Sequence, residues 1–170
     1  MLKINLLLTF FNILFAIISC QTITVNSPRG SLVGYHVDYG NDTSQIWYGQ
    51  GDVFLGVPYA MPPVGELRYR RPVPLTQYPG PSPYNATYYR KACIQPNRND
   101  TSEDCLFLNI WTPKASSTTK YPVLLEIHGG GLTTGDSHHD IRAIVRNLVS
   151  KGVVVASIDY RMSWLFYNVY

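Results

Sequence analysis

Charge is scarce in this sequence. Asp, Glu, Lys and Arg make up 15% of its 170 residues, and the net charge is only +3. With no long basic run, the chain is a poor match for nucleic acid or an acidic membrane surface. Cysteine is scarcer still, at three, and no two stand in the C-x-x-C spacing of a zinc module. The phosphate-binding spacings G-x-G-x-x-G and G-x-x-x-x-G-K-[ST] are both missing. No internal repeat and no low-complexity tract is visible. No cofactor and no metal is expected. Apolar residues reach 45%, enough for one domain with a real core.

One long apolar run stands out, at the N-terminus: "MLKINLLLTFFNILFAIISCQT". Lys3 supplies a positive flank, residues 6–18 are apolar apart from Asn12, and Ser19 and Cys20 are small. The run is short for a membrane span. The expectation is a cleaved signal peptide over residues 1–20 and a secreted chain. The alternatives are an uncleaved anchor or buried helix, and a lipobox at "IISC" in which Cys20 carries a lipid. Cleavage after Cys20 leaves Cys93 and Cys105. An even pair in an exported chain favours a disulfide, worth about 3 kcal/mol for so short a loop; two free buried thiols are the alternative. The sequons at Asn41, Asn85 and Asn99 fit the same compartment, although such tripeptides also arise by chance.

Beyond the leader, "TITVNS", "GSLVGYHVDYG" and "GDVFLGVPYA" read as short strands parted by Gly and Asn/Asp turns, predicting a small antiparallel sheet. Residues 61–84 are proline-rich and read as an ordered loop anchored by Leu67, Tyr69 and Val73. "CLFLNIWTP" alternates Leu106, Leu108 and Ile110 against Phe107, Asn109 and Trp111, so it is a strand. "YPVLLEI" is another. "DIRAIVRNLVSKG" sets Ile141, Ile144, Val145 and Leu148 at helical spacing, with Asp140 or Ser137 as cap and Gly152 as stop. "VVVASI" is expected to be a strand buried on both faces. Strand, glycine loop, helix, strand is a βαβ unit with parallel strands.

The glycine loop is "HGGGLTTG", residues 128–135. Glycine lets bare backbone N–H groups approach a ligand, and a loop after a parallel strand lies where open α/β sheets bind their ligands. Phosphate cradling needs other spacings. An oxyanion hole, in which N–H groups hold the negative oxygen of a tetrahedral intermediate, fits the H-G-G-G form. A tight loop chosen only for packing is the alternative.

Four separated stretches carry a resemblance to one family. "FLGVPYAMPPVGELRYRRP", "ATYYRKACIQ", "SEDCLFLNIWTP" and the pair "PVLLEIHGGGL" and "KGVVVASIDYR" resemble, in order, the type-B carboxylesterase and cholinesterase family of α/β-hydrolases. The resemblance implies an incomplete α/β-hydrolase fold: N-terminal antiparallel strands plus the first part of a mainly parallel central sheet. It implies that Cys93 pairs with Cys105 and that Gly130 and Gly131 donate the oxyanion N–H groups. Gly129 would serve the turn and His128 would orient the loop. The short loop between the cysteines resembles general esterases more than cholinesterases. The implied partner is a small-molecule ester.

A family enzyme also needs a G-x-S-x-G serine elbow, then an acid, then a histidine. No G-x-S-x-G occurs. The nearest imitation is Gly135-Asp136-Ser137-His138-His139, which lacks the second glycine; sequence neighbours rarely have triad geometry. A metal reading of Asp136, His138, His139 and Asp140 is equally thin, and a solvated helix-capping loop is the expectation. Residues 162–170 depart from the family pattern. The chain therefore reads as residues 21–161 of an esterase N-terminal portion, inactive alone because the triad is absent. A fragment of a non-catalytic neuroligin-like relative is the alternative. Either way, Leu124, Leu125 and Ile127 are expected on an exposed sheet edge.

Overall fold

The computed structural model describes residues 21–162. The proposed signal peptide, Cys20 and residues 163–170 lie outside the described residues. The chain begins with a meander: β1 (Thr22–Ser27), β2 (Gly30–Asp38) and β3 (Gln50–Pro58), each antiparallel to the next. The proline-rich loop follows, with one 3-10 turn at Gly65–Leu67; its buried anchor is Leu75, whereas Tyr69 and Val73, expected as anchors, are exposed and Leu67 is half-buried. Three two-residue strands come next: β4 (Tyr84–Asn85), β5 (Ala92–Cys93) and β6 (Thr101–Ser102). Then come β7 (Phe107–Thr112), β8 (Val123–Ile127), helix α1 (Ile141–Asn147) and β9 (Val154–Ile158).

β5 and β6 pair as a separate two-stranded sheet, but the strands of the meander do not stand apart. They join one mixed sheet in the order β1-β2-β3-β7-β9-β8, with β4 alongside β2. β8 and β9 are parallel and α1 crosses between them, as the βαβ reading requires. The helix is capped by the Asp140 carboxylate, which accepts from Arg142 N–H at 2.9 Å; Ser137 has no part in the cap. Gly152 closes the helical segment in the left-handed conformation that glycine adopts without a Cβ penalty.

β3 is buried along nearly its whole length and carries the core on both sides. Leu32, Phe54, Val57, Tyr84 and Ala86 pack on one face. Val53, Leu55, Trp111, Val149 and Val155 pack on the other, beneath α1. A third cluster joins Ala60, Leu106 and Met162 to the Cys93–Cys105 disulfide. In β7 the face that looks polar is the inner one: Phe107, Asn109 and Trp111 are buried, while Leu108 and Ile110 are half-buried. The register of β3 on β7 shifts between Phe54 and Val57, and Asn109 accepts the Gly56 N–H there at 2.8 Å. A buried amide is thus satisfied rather than orphaned.

β9 departs from the expectation of burial on both faces. Val155 and Ser157 are buried, but Val154, Ala156 and Ile158 are half-covered. β8 forms the sheet edge among the described residues, with Val123, Leu124, Leu125 and Ile127 exposed. No helix among the described residues is long and apolar enough to cross a membrane.

Candidate functional site

The glycine loop leaves the carboxyl end of β8. His128, its first residue, is buried, and its ring stacks on Tyr160 at a centroid distance of 4.3 Å. Tyr160 in turn donates its hydroxyl to the His128 carbonyl at 2.6 Å. Nδ1 of His128 lies 2.9 Å from the Gly129 carbonyl, and because a carbonyl only accepts, Nδ1 is the donor. The buried Nε2 has no hydrogen-bond partner among the described residues. The ring packs against the loop's base and touches no nucleophile among the described residues.

Past this base the backbone takes conformations that exclude side chains. Gly130 has φ +125°, and a Cβ there would lie 1.8 Å from the Thr134 carbonyl oxygen. Gly135 has φ +119°, and a Cβ would lie 2.3 Å from His128 Nδ1. Between them the Gly130 carbonyl accepts the N–H groups of Thr133 and Thr134, both at 3.1 Å. Leu132 sits at the loop tip with φ +60°, a left-handed conformation that costs a non-glycine residue about 1–2 kcal/mol. The loop therefore curls back on its own carbonyl. Among the described residues, none of its hydrogen bonds is donated by the N–H of Gly130 or Gly131. Both residues are exposed at the end of a parallel strand.

The loop's return segment is held by two side chains of the disulfide ring. Gln95, buried beside the disulfide, receives the Gly135 N–H on Oε1 and donates Nε2 to the Gly135 carbonyl, each at 2.9 Å. Arg98 ion-pairs with Asp136 and also with Asp100, at 2.6 Å. Burial pushes the Asp136 carboxyl up, but the Arg98 hydrogen bond and the His138 N–H outweigh it and hold it below the usual carboxylate range.

Ser137 corrects the expectation of a solvated capping loop: it is fully buried. Its N–H and Oγ donate to the Asp159 carboxylate at 2.9 and 2.8 Å, and Asn109 Nδ2 donates to Ser137 Oγ at 2.7 Å. Burial raises the Asp159 carboxyl above its ordinary value, partly offset by these bonds. The physical reason is topological: β7 and the end of β9 enclose the serine between an amide and a carboxylate.

The neighbouring histidines diverge. His138 Nε2 meets the Arg90 carbonyl at 2.9 Å. His139 Nε2 meets Glu126 at 3.2 Å and Ser157 Oγ at 3.1 Å. Ser137, His138 and Asp136 therefore make no nucleophile–base pair. Ser157, His139 and Glu126 form a second Ser–His–acid imitation that sequence reading missed. It fails on geometry, because the carboxylate and the serine meet the same ring nitrogen and Ser157 is buried. No group of three or more metal-ligating side chains converges among the described residues. Asn41, Asn85 and Asn99 are all exposed, and the Asn85 side chain accepts from its sequon partner Thr87 at 2.7 Å.

A mixed sheet with a βαβ unit and a glycine loop at its carboxyl end fits an incomplete α/β-hydrolase fold. A family model described as the carboxylesterase family matches residues 21–167, and the chain belongs to that family. It is 37% identical over 164 residues to carboxylesterase 1F of Mus musculus, a match that takes in 85% of this chain and 28% of that protein. It is 38% identical over 123 residues to the neuroligin-like protein glit-1 of Caenorhabditis elegans, covering 64% of this chain and 16% of that protein. The solved carboxylesterase of Geobacillus stearothermophilus superposes with a TM-score of 0.62 at 34% identity, over 82% of this chain and 26% of that one. The chain thus spans well under a third of the length of these relatives.

Proposed function

We propose that residues 128–135 are the oxyanion-hole element of a secreted serine carboxylic ester hydrolase acting on uncharged small-molecule esters. Gly130 and Gly131 supply the N–H donors, Gly129 the turn, and His128 the buried brace. The observation that carries this reading is the pair of exposed glycine amides without partners at the carboxyl end of β8. Such donors, about 2.7–3.1 Å from the developing oxyanion, stabilise charge only after a nucleophile has attacked. The nucleophile elbow is not written in these residues, so the described part holds the anion and leaves attack to another segment. Export fits a cleaved leader, the Cys93–Cys105 disulfide and glycans on the exposed Asn41, Asn85 and Asn99.

A second reading, a non-catalytic binding relative, is favoured by the match to a neuroligin-like protein. The test is a chimera in which residues 21–161 replace the matching part of mouse carboxylesterase 1F, assayed on an aryl ester. Hydrolysis is expected, and Gly131→Pro, which removes one donor and cannot hold the left-handed φ of +61° there, should lower kcat by at least about 10²-fold. A folded chimera with no activity overturns the enzyme reading and favours the binding one. The chain alone should hydrolyse nothing by this route, with Ser137 unlabelled by an organophosphate.

A further inference from the structure

We propose that Gln95 is the positioning residue of the glycine loop, and that through it the Cys93–Cys105 ring sets where the Gly130 and Gly131 N–H groups point. The inference rests on the oxyanion reading for its purpose, but not for its geometry. A single side-chain amide grips both polar groups of one glycine: Gly135 N–H to Oε1 and Nε2–H to the Gly135 carbonyl, each at 2.9 Å. Nε2 also lies 3.2 Å from the Cys93 carbonyl, so the amide is oriented by the disulfide half-cystine two residues before it. Gln95 is buried, where a broken polar pair is costly and a complete one is rigid.

Gly135 is the place where this grip has leverage. Its Cα packs so closely on the loop's base that a Cβ would meet both His128 Nδ1 and the Gly129 carbonyl, at 2.3 and 2.5 Å. Clamping Gly135 therefore clamps both ends of the loop at once. Between those ends the Gly130 carbonyl accepts the N–H groups of Thr133 and Thr134. The ion pair of Arg98 with Asp136 gives the same ring a second hold on the very next residue. The ring is small, since Cys93 and Cys105 are 12 residues apart, so movement of Gln95 is tightly limited. A carboxamide can do this at neutral pH, and a carboxylate of the same length cannot. A glutamate accepts from the Gly135 N–H but opposes the Gly135 carbonyl, whereas a protonated glutamate donates to it.

Backbone 15N relaxation of the full chain, with the disulfide formed and at a dilution where sedimentation shows monomer, tests the proposal. In the wild type, Gly130, Gly131 and Gly135 should have order parameters of about 0.85, at pH values both below and above the glutamate titration near 4.3. In Gln95→Met all three should fall to about 0.6 or lower, while Val155 and Ala156 of β9 stay rigid. In Gln95→Glu the loop should be loose above that titration and regain wild-type rigidity below it. Unchanged Gly130 and Gly131 in Gln95→Met overturns the proposal. So does loosening that extends to β9, which would make Gln95 a general fold residue. So does a Gln95→Glu loop indifferent to pH. Neither measurement uses an ester. An inactive chimera alongside the expected relaxation pattern would sink the oxyanion reading and leave the positioning role standing.

Discussion

The two edges of the sheet are built from opposite kinds of sequence. β1 at one edge alternates strictly: Thr22, Thr24 and Asn26 are exposed, while Ile23, Val25 and Ser27 are half-buried. β8 at the other edge is apolar on both faces, with Val123 69%, Leu125 57% and Ile127 61% exposed, and its one charge, Glu126, is tied to His139 and Ser157. β1 is composed as an edge strand and β8 as an interior one. The difference teaches that position in a sheet and composition of a strand are separate facts. The proposed oxyanion loop lies at the mismatched edge, because it emerges from β8.

The sharpest way to break the comparison is to change the edges in turn. Unpaired N–H and C=O groups beside apolar side chains invite pairing with another chain. Residues 21–170 with the disulfide formed should self-associate, and Leu125→Lys should weaken association by more than about tenfold in sedimentation velocity, an inward charge being the natural block. Thr24→Lys on β1 should change nothing. A wild-type monomer with a cooperative thermal transition would mean that the β8 edge is covered.

Glycines beside the two edges offer a finer test. Gly30 in the β1–β2 turn and Gly130 in the loop after β8 have nearly the same φ, +120° and +125°. A Cβ on Gly30 meets nothing nearer than Tyr78 Cδ2 at 3.5 Å, while one on Gly130 meets the Thr134 backbone at 1.8 Å. Both alanine variants carry the strain of positive φ, about 1–3 kcal/mol. Gly130→Ala alone should also displace the loop, and limited proteolysis should cut it between residues 129 and 135 while leaving the Gly30→Ala turn intact.

The smallest expected effect is a difference of sign between two carboxylates near the loop. Asp136 titrates below its ordinary 3.8 in the fold, so its contribution is present above that value and is lost as pH falls through the lowered one. Asp159 titrates above 3.8, so the native state binds the extra proton and stability declines as pH rises through the raised value. Urea melts across this range should show Asp136→Asn reducing the acid-side loss and Asp159→Asn flattening the decline above it. The same sign of change in both would refute the assignment.

Much of the fold was legible because it is written in local periodicity. The strands of the meander, β7, α1 with its glycine stop, and the parallel β8–β9 pair all follow from alternation, helical spacing and the strand–loop–helix–strand order. Reading the pattern did not tell which face of β7 is inside. There an asparagine occupies the core because the Gly56 N–H at a register shift needs an acceptor. Nor did it tell that the meander continues into the same sheet as the βαβ unit, since antiparallel β3–β7 and β7–β9 pairing links segments with no shared repeat.

For the site, the sequence by itself determined the chemistry on offer: three glycines after a strand, a histidine before them, a cysteine pair capable of bonding, and no serine elbow. Glycine and cysteine have properties that travel with the residue, so their presence is informative wherever the chain goes. Only the tertiary structure decided what holds the loop. Gln95 finds Gly135 40 residues away, Asn109 finds Ser137 28 away, and Asp159 finds Ser137 22 away. These polar side chains have ordinary neighbours in sequence and leave no periodic mark. A hydrogen bond depends on where two groups meet within a few tenths of an ångström, and only the packing of β7, β9 and the disulfide ring brings them there.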